Sequence, residues 1–443
     1  MKFVRDSLLT FITLGVTFLL GAASSVLIAR LLGPEGKGIF TLVFLLPALC
    51  TSLGSLGLGA ANVYLLRKGE ASVGTLLANS AGFAFLSSLA ISLLFAAGWR
   101  WVGPTILPGV TPGMAALGLL TFPLALLAEY LLSLLLGSQR LIRYNAVSLA
   151  SSGLALAAPA VALVALHTGV RGAVAAKVLA TTVTVVILAR VLLSTREAAE
   201  GSLRPHLGVL RRALSYGARE HVGNIAMLLS YRVDMFFVAA FAGAKAVGIY
   251  SIAVMMAEVF FHLPNAVSVV LFPRLAGRGR REGAREAARS ARVVAAIVGL
   301  GILVSVPLAP SVVRIAFSNA FAPAVPAFFL LLPGVFALSV SKILARYFTG
   351  TLGRPLLNAR AQGVALAINL PLNVLLIPRY GITGAAAASS AAYVAHAIVT
   401  LFLFRRYSGL PVHEALFLRS KDVAWIAGQA RTAGLEQWGG SRA

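Results

Sequence analysis

Glu258, His262 and Asn265 stand at i, i+4 and i+7 of one apolar stretch, so a helix carries them as a single polar face near its middle. A carboxylate beside an imidazole can pass a proton, and that chemistry would serve ion coupling to H+ or Na+. A satisfied hydrogen-bond cluster is the simpler role for the same three residues. The preceding apolar stretch is richer still. At about 100° per residue, Glu220, Asn224, Tyr231 and Asp234 share one third of its circumference, while His221 and Arg232 occupy another sector. Arg232 therefore divides evenly between lining a cavity and pairing with another helix. Asp234 reads first as part of a helix-packing network and second as an ion-coupling carboxylate. Glu129 and Lys342 occupy equivalent places in two similar halves of the chain, and Arg346 follows Lys342 by one helical turn. Such a pair can close a gate, meet an anionic ligand, or hold two helices together. Asn369 and Asn373, again one turn apart, act more often as interhelical glue than as ligands.

Bond-making chemistry lacks a comparable constellation. The sequence has no Gly-rich phosphate loop followed by Lys and Ser/Thr, no His/Glu pair at metal-ligand spacing, and no nucleophile with a base. The expectation is a non-enzymatic protein without a cofactor, whose work is driven by an ion gradient or is passive. The single cysteine, Cys50, lies in an apolar stretch and reads as a small packing residue.

What positions these groups is a set of membrane-spanning helices. Hydrophobic residues make up 59% of the 443 and charged ones 12%, with mean hydropathy +0.89; soluble domains carry about twice that charge. Twelve apolar segments follow one another: 8–32, 38–66, 73–99, 113–136, 146–167 and 171–193, then 214–241, 246–273, 292–316, 324–348, 356–377 and 382–405. Each meets the roughly 20 residues that a helix needs to cross about 30 Å of hydrocarbon. The fold expected is all-α, two parallel-repeat bundles of six helices. The basic first residues lead into a span too long for a removable signal peptide.

Charge sets the orientation. The net charge is +24, but Lys and Arg gather in alternate loops, from Arg67 and Lys68 to the run between Arg274 and Arg292. The opposite loops hold only Lys37, Arg100, Arg171, Lys245 and Arg379, one in each. This asymmetry places both termini in the cytoplasm. It also argues against nucleic acid as a partner and for the lipid bilayer, whose anionic headgroups attract such loops. The domains expected are 1–193, a linker at 194–213, 214–405, and a tail at 406–443 whose stretch 414–438 has the makings of an interfacial helix.

The halves repeat at an offset of about 210 residues. Gly33-Pro34-Glu35-Gly36-Lys37-Gly38-Ile39-Phe40 is matched by Gly243-Ala244-Lys245-Ala246-Val247-Gly248-Ile249-Tyr250. Gly137 and Asn145 correspond to Gly350 and Asn358, and Gly169 and Gly172 to Gly381 and Gly384.

These runs carry a resemblance to a known family. Ile28 to Phe40, Tyr231-Arg232-Val233-Asp234, Val247-Gly248-Ile249-Tyr250, Leu271-Phe272-Pro273-Arg274 and Asn369 to Asn373 continuing through Ile377 to Ala385 resemble the polysaccharide biosynthesis flippases, the Wzx-like branch of the MATE/MOP superfamily. The resemblance implies two six-helix bundles that turn a polyprenyl-diphosphate-linked oligosaccharide from the inner to the outer leaflet by alternating access. It implies a place in the assembly of surface polysaccharide such as O-antigen lipopolysaccharide, beside a glycan polymerase and glycosyltransferases. A diphosphate crossing a low-dielectric cleft needs cations there, and Arg232, Lys342 and Arg346 are the best-placed candidates, with Glu129, Tyr231 and Asn373 beside them and Lys177 as a weaker cation. Glu258, His262 and Asp234 are the candidates for ion coupling. Lipid II flippases share the plan but carry arginines well inside the first helix, whereas this one is uncharged from Leu8 to Ala29. Two other readings stay open: a cation-coupled exporter of small molecules with an acidic cavity, and a silent scaffold that recruits glycan-assembly enzymes.

Overall fold

A computed structural model describes residues 2–195 and 203–416. Most of the expected tail helix, and residues 196–202 of the linker, lie outside the described residues, as do the side chains of Glu220, His221 and Asn224. Hydrocarbon offers no partner to a backbone N–H or C=O, so the spans close their hydrogen bonds within helices. Among the described residues every regular element is helical: α1 (Lys2–Gly54), α2 (Leu58–Arg67), α3 (Val73–Ile106), α4 (Pro112–Leu119), α5 (Thr121–Gly137), α6 (Leu141–Ala160), α7 (Gly169–Leu193), α8 (Leu207–Glu258), α9 (His262–Ala276), α10 (Arg280–Val312), α11 (Ala324–Arg346), α12 (Pro355–Ser408) and α13 (His413–Leu416). Lipid-facing surfaces show as exposed apolar side chains such as Leu94, Leu303 and Ile315.

Nine helical runs among the described residues are long and apolar enough to span a membrane. Three are too long to do so once: Ile12–Gly54 has 43 residues, Leu228–Ala276 has 49 and Pro355–Ser408 has 54. A straight helix of the last length would reach about 80 Å. Each of the three turns instead at one glycine with positive φ: Gly33 (φ 65°), Gly243 (φ 80°) and Gly381 (φ 56°). Only glycine takes that conformation without steric cost.

Side-chain bonds across each turn show the chain folding back. Lys37 Nζ donates to Ser25 Oγ at 3.0 Å, Tyr250 Oη to Asp234 Oδ2 at 2.6 Å, and Asn369 Nδ2 to Ser389 Oγ at 3.5 Å. Residues 12, 16 and 20 apart in a straight helix would be about 18, 24 and 30 Å apart. The nine runs thus agree with twelve spans, and the loops expected at these three places shrink to a single residue. At the first, Pro34 starts the next helix with its φ already set and no N–H to leave unpaired.

The repeat persists in the backbone. Gly33 and Gly243 turn alike, as do Gly169 (φ 64°) and Gly381. A Cβ on Gly137 would lie 3.0 Å from Leu66, and one on Gly350 would lie 3.0 Å from Leu275, the same contact about 210 residues on. The tightest instance is reciprocal. A Cβ on Gly38 would overlap the Ala244 carbonyl oxygen and stand 3.0 Å from Gly248 N; one on Gly248 would overlap the Pro34 oxygen and stand 2.9 Å from Gly38 N. Two backbones here touch each other directly, and backbone cannot move aside.

The chain divides into two compact units, Met1–Ile252 with Ser311–Ala324 and Val374–Ala385, and Ala253–Pro310 with Val325–Asn373 and Ala386–Ala443. The division falls past the 194–213 linker and within α8, because residues 244–248 are held on 34–38. Asn79 also ties the end of the linker to α3, accepting from His206 N (2.9 Å) and donating to His206 O (3.1 Å). The first unit packs Leu58, Leu76, Phe122, Leu126, Leu134 and Leu188, with half-buried Cys50 against them. The second packs Leu275, Ile343, Tyr347, Phe348 and Phe404 on the alanines of α10, Ala284, Ala287, Ala288 and Ala291. Small residues there let helix backbones approach closely. Arg292 donates to the Glu414 carbonyl, holding α13 on α10.

Gly38→Ala and Gly248→Ala should each lower stability by about 1 to 3 kcal/mol, the usual cost of overpacking. Because they share one contact, the double variant should cost less than the sum of the two. Gly15→Ala, where nothing lies within 4 Å, is the neutral control in a thermal unfolding series in detergent.

Candidate functional site

Two apolar segments that run unbroken in the sequence are interrupted in the structure, and they are repeat equivalents. Within 38–66, α1 stops at Gly54, the chain turns through Leu56 (φ 44°) and Gly57 (φ 68°), and α2 resumes at Leu58. Within 246–273, a 3₁₀ turn at Val259–Phe261 separates α8 from α9. A broken helix at membrane depth frees backbone groups that need protein partners. Buried Tyr130 supplies one, donating from its hydroxyl to Ser55 O at 3.1 Å. Gly217 packs so closely on Leu56 and Gly57 that a Cβ would collide with both.

A charge stands beside each interruption. Glu129 of α5 lies against Gly59 in the first turn of α2, its Oε1 3.4 Å from where a Gly59 Cβ would be. Lys342 of α11 lies with Nζ 4.4 Å from the centroid of the Phe261 ring and donates to Asn265 Oδ1 at 3.3 Å. The aromatic face and the amide oxygen hold the ammonium by cation–π attraction and a charge-assisted hydrogen bond. Glu258 and Arg346 both act on Lys342 electrostatically. Glu129 and Lys342, equivalent in the repeat and opposite in charge, thus each mark the broken helix of their own unit.

The other candidates scatter around this plan. Arg346 closes α11 and is exposed. Tyr231 and Arg232 are half-buried on α8. Asp234 is 2% exposed; it accepts from Tyr250 Oη and, at 2.8 Å, from the Met235 N–H. Those bonds support the packing role, and Tyr250 was hidden as its partner because the two are joined only when the chain turns at Gly243. Asn373 is fully buried and donates to Asn369 O and Oδ1, both at 2.9 Å and within its own helix; the bond across the Gly381 turn is made by Asn369 to Ser389. A 3₁₀ turn interrupts the face Glu258–His262–Asn265 between its first two members. The 3₁₀ turn between the first two advances about 120° per residue instead of 100°, leaving Glu258 half-buried and His262 and Asn265 exposed. Lys37, read as a lone charge in a loop, is instead buried beside Ser25.

A family model, "Polysaccharide biosynthesis protein", matches residues 3–277. The chain belongs to that family. Among solved structures it is similar to the lipid II flippase MurJ in an inward closed conformation (TM-score 0.75, 12% identity, 93% of this chain and 89% of that one). It is also similar to an inward-facing multidrug resistance MATE family transporter of the MOP superfamily (TM-score 0.72, 16% identity, 89% and 94%). A MOP superfamily transporter from Pyrococcus furiosus, described as having a binding pocket of reverse polarity, matches at TM-score 0.59 and 18% identity over 93% and 96%. An uncharacterised membrane protein of Methanocaldococcus jannaschii is 26% identical over 183 residues, 40% of this chain; the chain spans 36% of that relative's length. The fold is that of the MATE/MOP transporters, and its long apolar helical runs make this a multi-pass membrane protein.

Tyr250→Phe removes the hydroxyl that Asp234 accepts, and the loss of a hydrogen bond to a buried charged group costs about 1.5 to 3 kcal/mol. Thermal unfolding should show that loss. If Asp234 serves packing, Asp234→Asn should lower the midpoint likewise; unchanged midpoints with lost transport would assign it to ion coupling instead.

Proposed function

We propose that this protein moves a polyprenyl-diphosphate-linked oligosaccharide from the inner to the outer leaflet by alternating access, for assembly of surface polysaccharide. The observation that carries the reading is Lys342, a cation held at a helix interruption by Phe261 and Asn265, in a chain of the polysaccharide biosynthesis family. A diphosphate leaving water requires positive charge within the membrane, and an ammonium already solvated by a ring and an amide meets it at little further desolvation cost. Arg346 one turn on extends the positive field, and Arg232, half-buried in the first unit, is a separate candidate cation. The long apolar chain of the carrier lipid would remain in the bilayer.

Broken helices with charged neighbours at corresponding places in two halves are the usual address of a transporter's binding site. The family points to a setting in the inner membrane with both termini cytoplasmic, a glycan polymerase and glycosyltransferases as partners, and O-antigen-type polymers among the products. A cation-coupled exporter needs carboxylates as its principal ligands; Glu129, beside the break in the first unit, and half-buried Glu258 are candidates that favour that reading.

Lys342→Ala and Arg232→Ala should each reduce glycan export at least about tenfold, the scale expected for losing one charge-assisted contact of 1.5 to 3 kcal/mol. Both proteins should reach the membrane in normal amount. Surface polysaccharide measured in cells carrying only the variant tests this; normal surface glycan in both would remove the site assignment.

A further inference from the structure

Lys37 and Lys177 face one another inside the first unit. Lys37, Phe40 and Phe44 stand at i, i+3 and i+7 on the part of α1 after Gly33, so they share one helix face. Lys177 of α7 places Nζ 4.2 Å from the Phe44 ring centroid and 5.3 Å from that of Phe40, against the face that carries Lys37. The two are close enough for the charge of one to act on the other. Lys37 Nζ donates to Ser25 Oγ on the first part of α1. Among the described residues no carboxylate bonds either ammonium. Three helix segments therefore bring two like charges together without a counter-ion.

Long basic side chains near a membrane surface ordinarily snorkel outward to water. These two do not. Lys37 lies four residues beyond the Gly33 turn, yet it reaches Ser25, eight residues before it, so its ammonium points about 6 Å deeper than its own Cα. Lys177, eight residues into α7, holds its ammonium at the level of Phe40 and Phe44 rather than at the helix start. An anion that reached these inward-pointing ammonium groups would meet both charges at once. Lys37 and Phe40 are buried while Phe44 and Lys177 are half-buried, so the pair is open only on the Lys177 side. Two ammonium groups, and a hydroxyl that still has a proton to give, suit the oxygens of a phosphate or diphosphate ester.

We propose that Lys37, Lys177 and Ser25 form a phosphate-binding station about 10 to 16 Å inside the end of the first unit that carries the Gly33 turn, and that it receives the diphosphate of the lipid-linked glycan on the outer-leaflet side. This rests on the reading under Proposed function and on both termini being cytoplasmic. It adds a second stop for the anion, apart from Lys342.

The test is lysine acylation followed residue by residue by mass spectrometry, on the full chain in phosphatidylcholine nanodiscs with and without inorganic pyrophosphate. Pyrophosphate should slow acylation of Lys37 and Lys177 at least about fivefold, an amount that modest occupancy of a charged site produces. Lys177→Met should abolish the protection of Lys37, Lys177→Arg should restore it, and Lys342→Met should leave it intact. Unchanged rates at Lys37 and Lys177, whatever happens at Lys342, overturn the station. Protection in phosphatidylglycerol nanodiscs without pyrophosphate would assign the site to an ordinary lipid headgroup and overturn the diphosphate assignment. Protection that persists where glycan movement fails would sustain the site and count against the transport reading alone.

Discussion

A positive charge inside a membrane-spanning helix must be solvated by the protein itself, and this requirement organises the molecule. Lys342 is solvated by the ring of Phe261, at the end of the 3₁₀ turn that interrupts its neighbouring helix, and by the amide of Asn265, one turn into the helix that follows. Lys37 is solvated by Ser25 and Lys177 by Phe40 and Phe44, groups that meet only because α1 turns back at Gly33. In each case the break or turn in a helix comes first, and the charge is lodged in what it exposes. Helices that ran straight would offer these ammonium groups hydrocarbon alone, at a cost of several kcal/mol each.

The glycine turns have a second consequence. They bring residues 34–38 and 244–248 together so that Gly38 and Gly248 pack backbone on backbone. Equivalent residues of the two repeats thereby touch each other through a contact that tolerates no side chain. That contact places the compact unit's limit at Ile252 instead of at the linker. Asp234 and Tyr250 brace the same hairpin from within, giving a buried carboxylate a hydroxyl partner.

Much of this was legible in the sequence. Twelve apolar segments, the repeat and the asymmetry of the basic loops follow from composition, because lipid rewards long helices and tolerates few charges. The glycine pairs marked the turns correctly. What escaped was local. The breaks at Leu56–Gly57 and Val259–Phe261 lie within apolar runs whose hydropathy does not change, so no periodicity announces them. Lys37 looked like a loop residue because Gly-Pro-Glu-Gly-Lys-Gly reads as a loop, whereas a single glycine completes the turn and the helix restarts at Pro34. The spacing of Glu258 and His262 reads as an unbroken α-helix, whereas a 3₁₀ turn lies between them. Partnerships such as Asp234 with Tyr250 depend on the hairpin and cannot be read from spacing along a straight helix.

Direct measurement of lipid movement puts the account to its plainest test. Purified protein in sealed vesicles would be given three fluorescent lipids with the same short polyprenyl chain and the same sugar, differing only in a diphosphate, a neutral or a cationic linkage. The account predicts that the diphosphate-linked lipid crosses the bilayer at least about tenfold faster than the other two, as a site built from cations requires. Equal rates for all three, or preference for the cationic lipid, would contradict it.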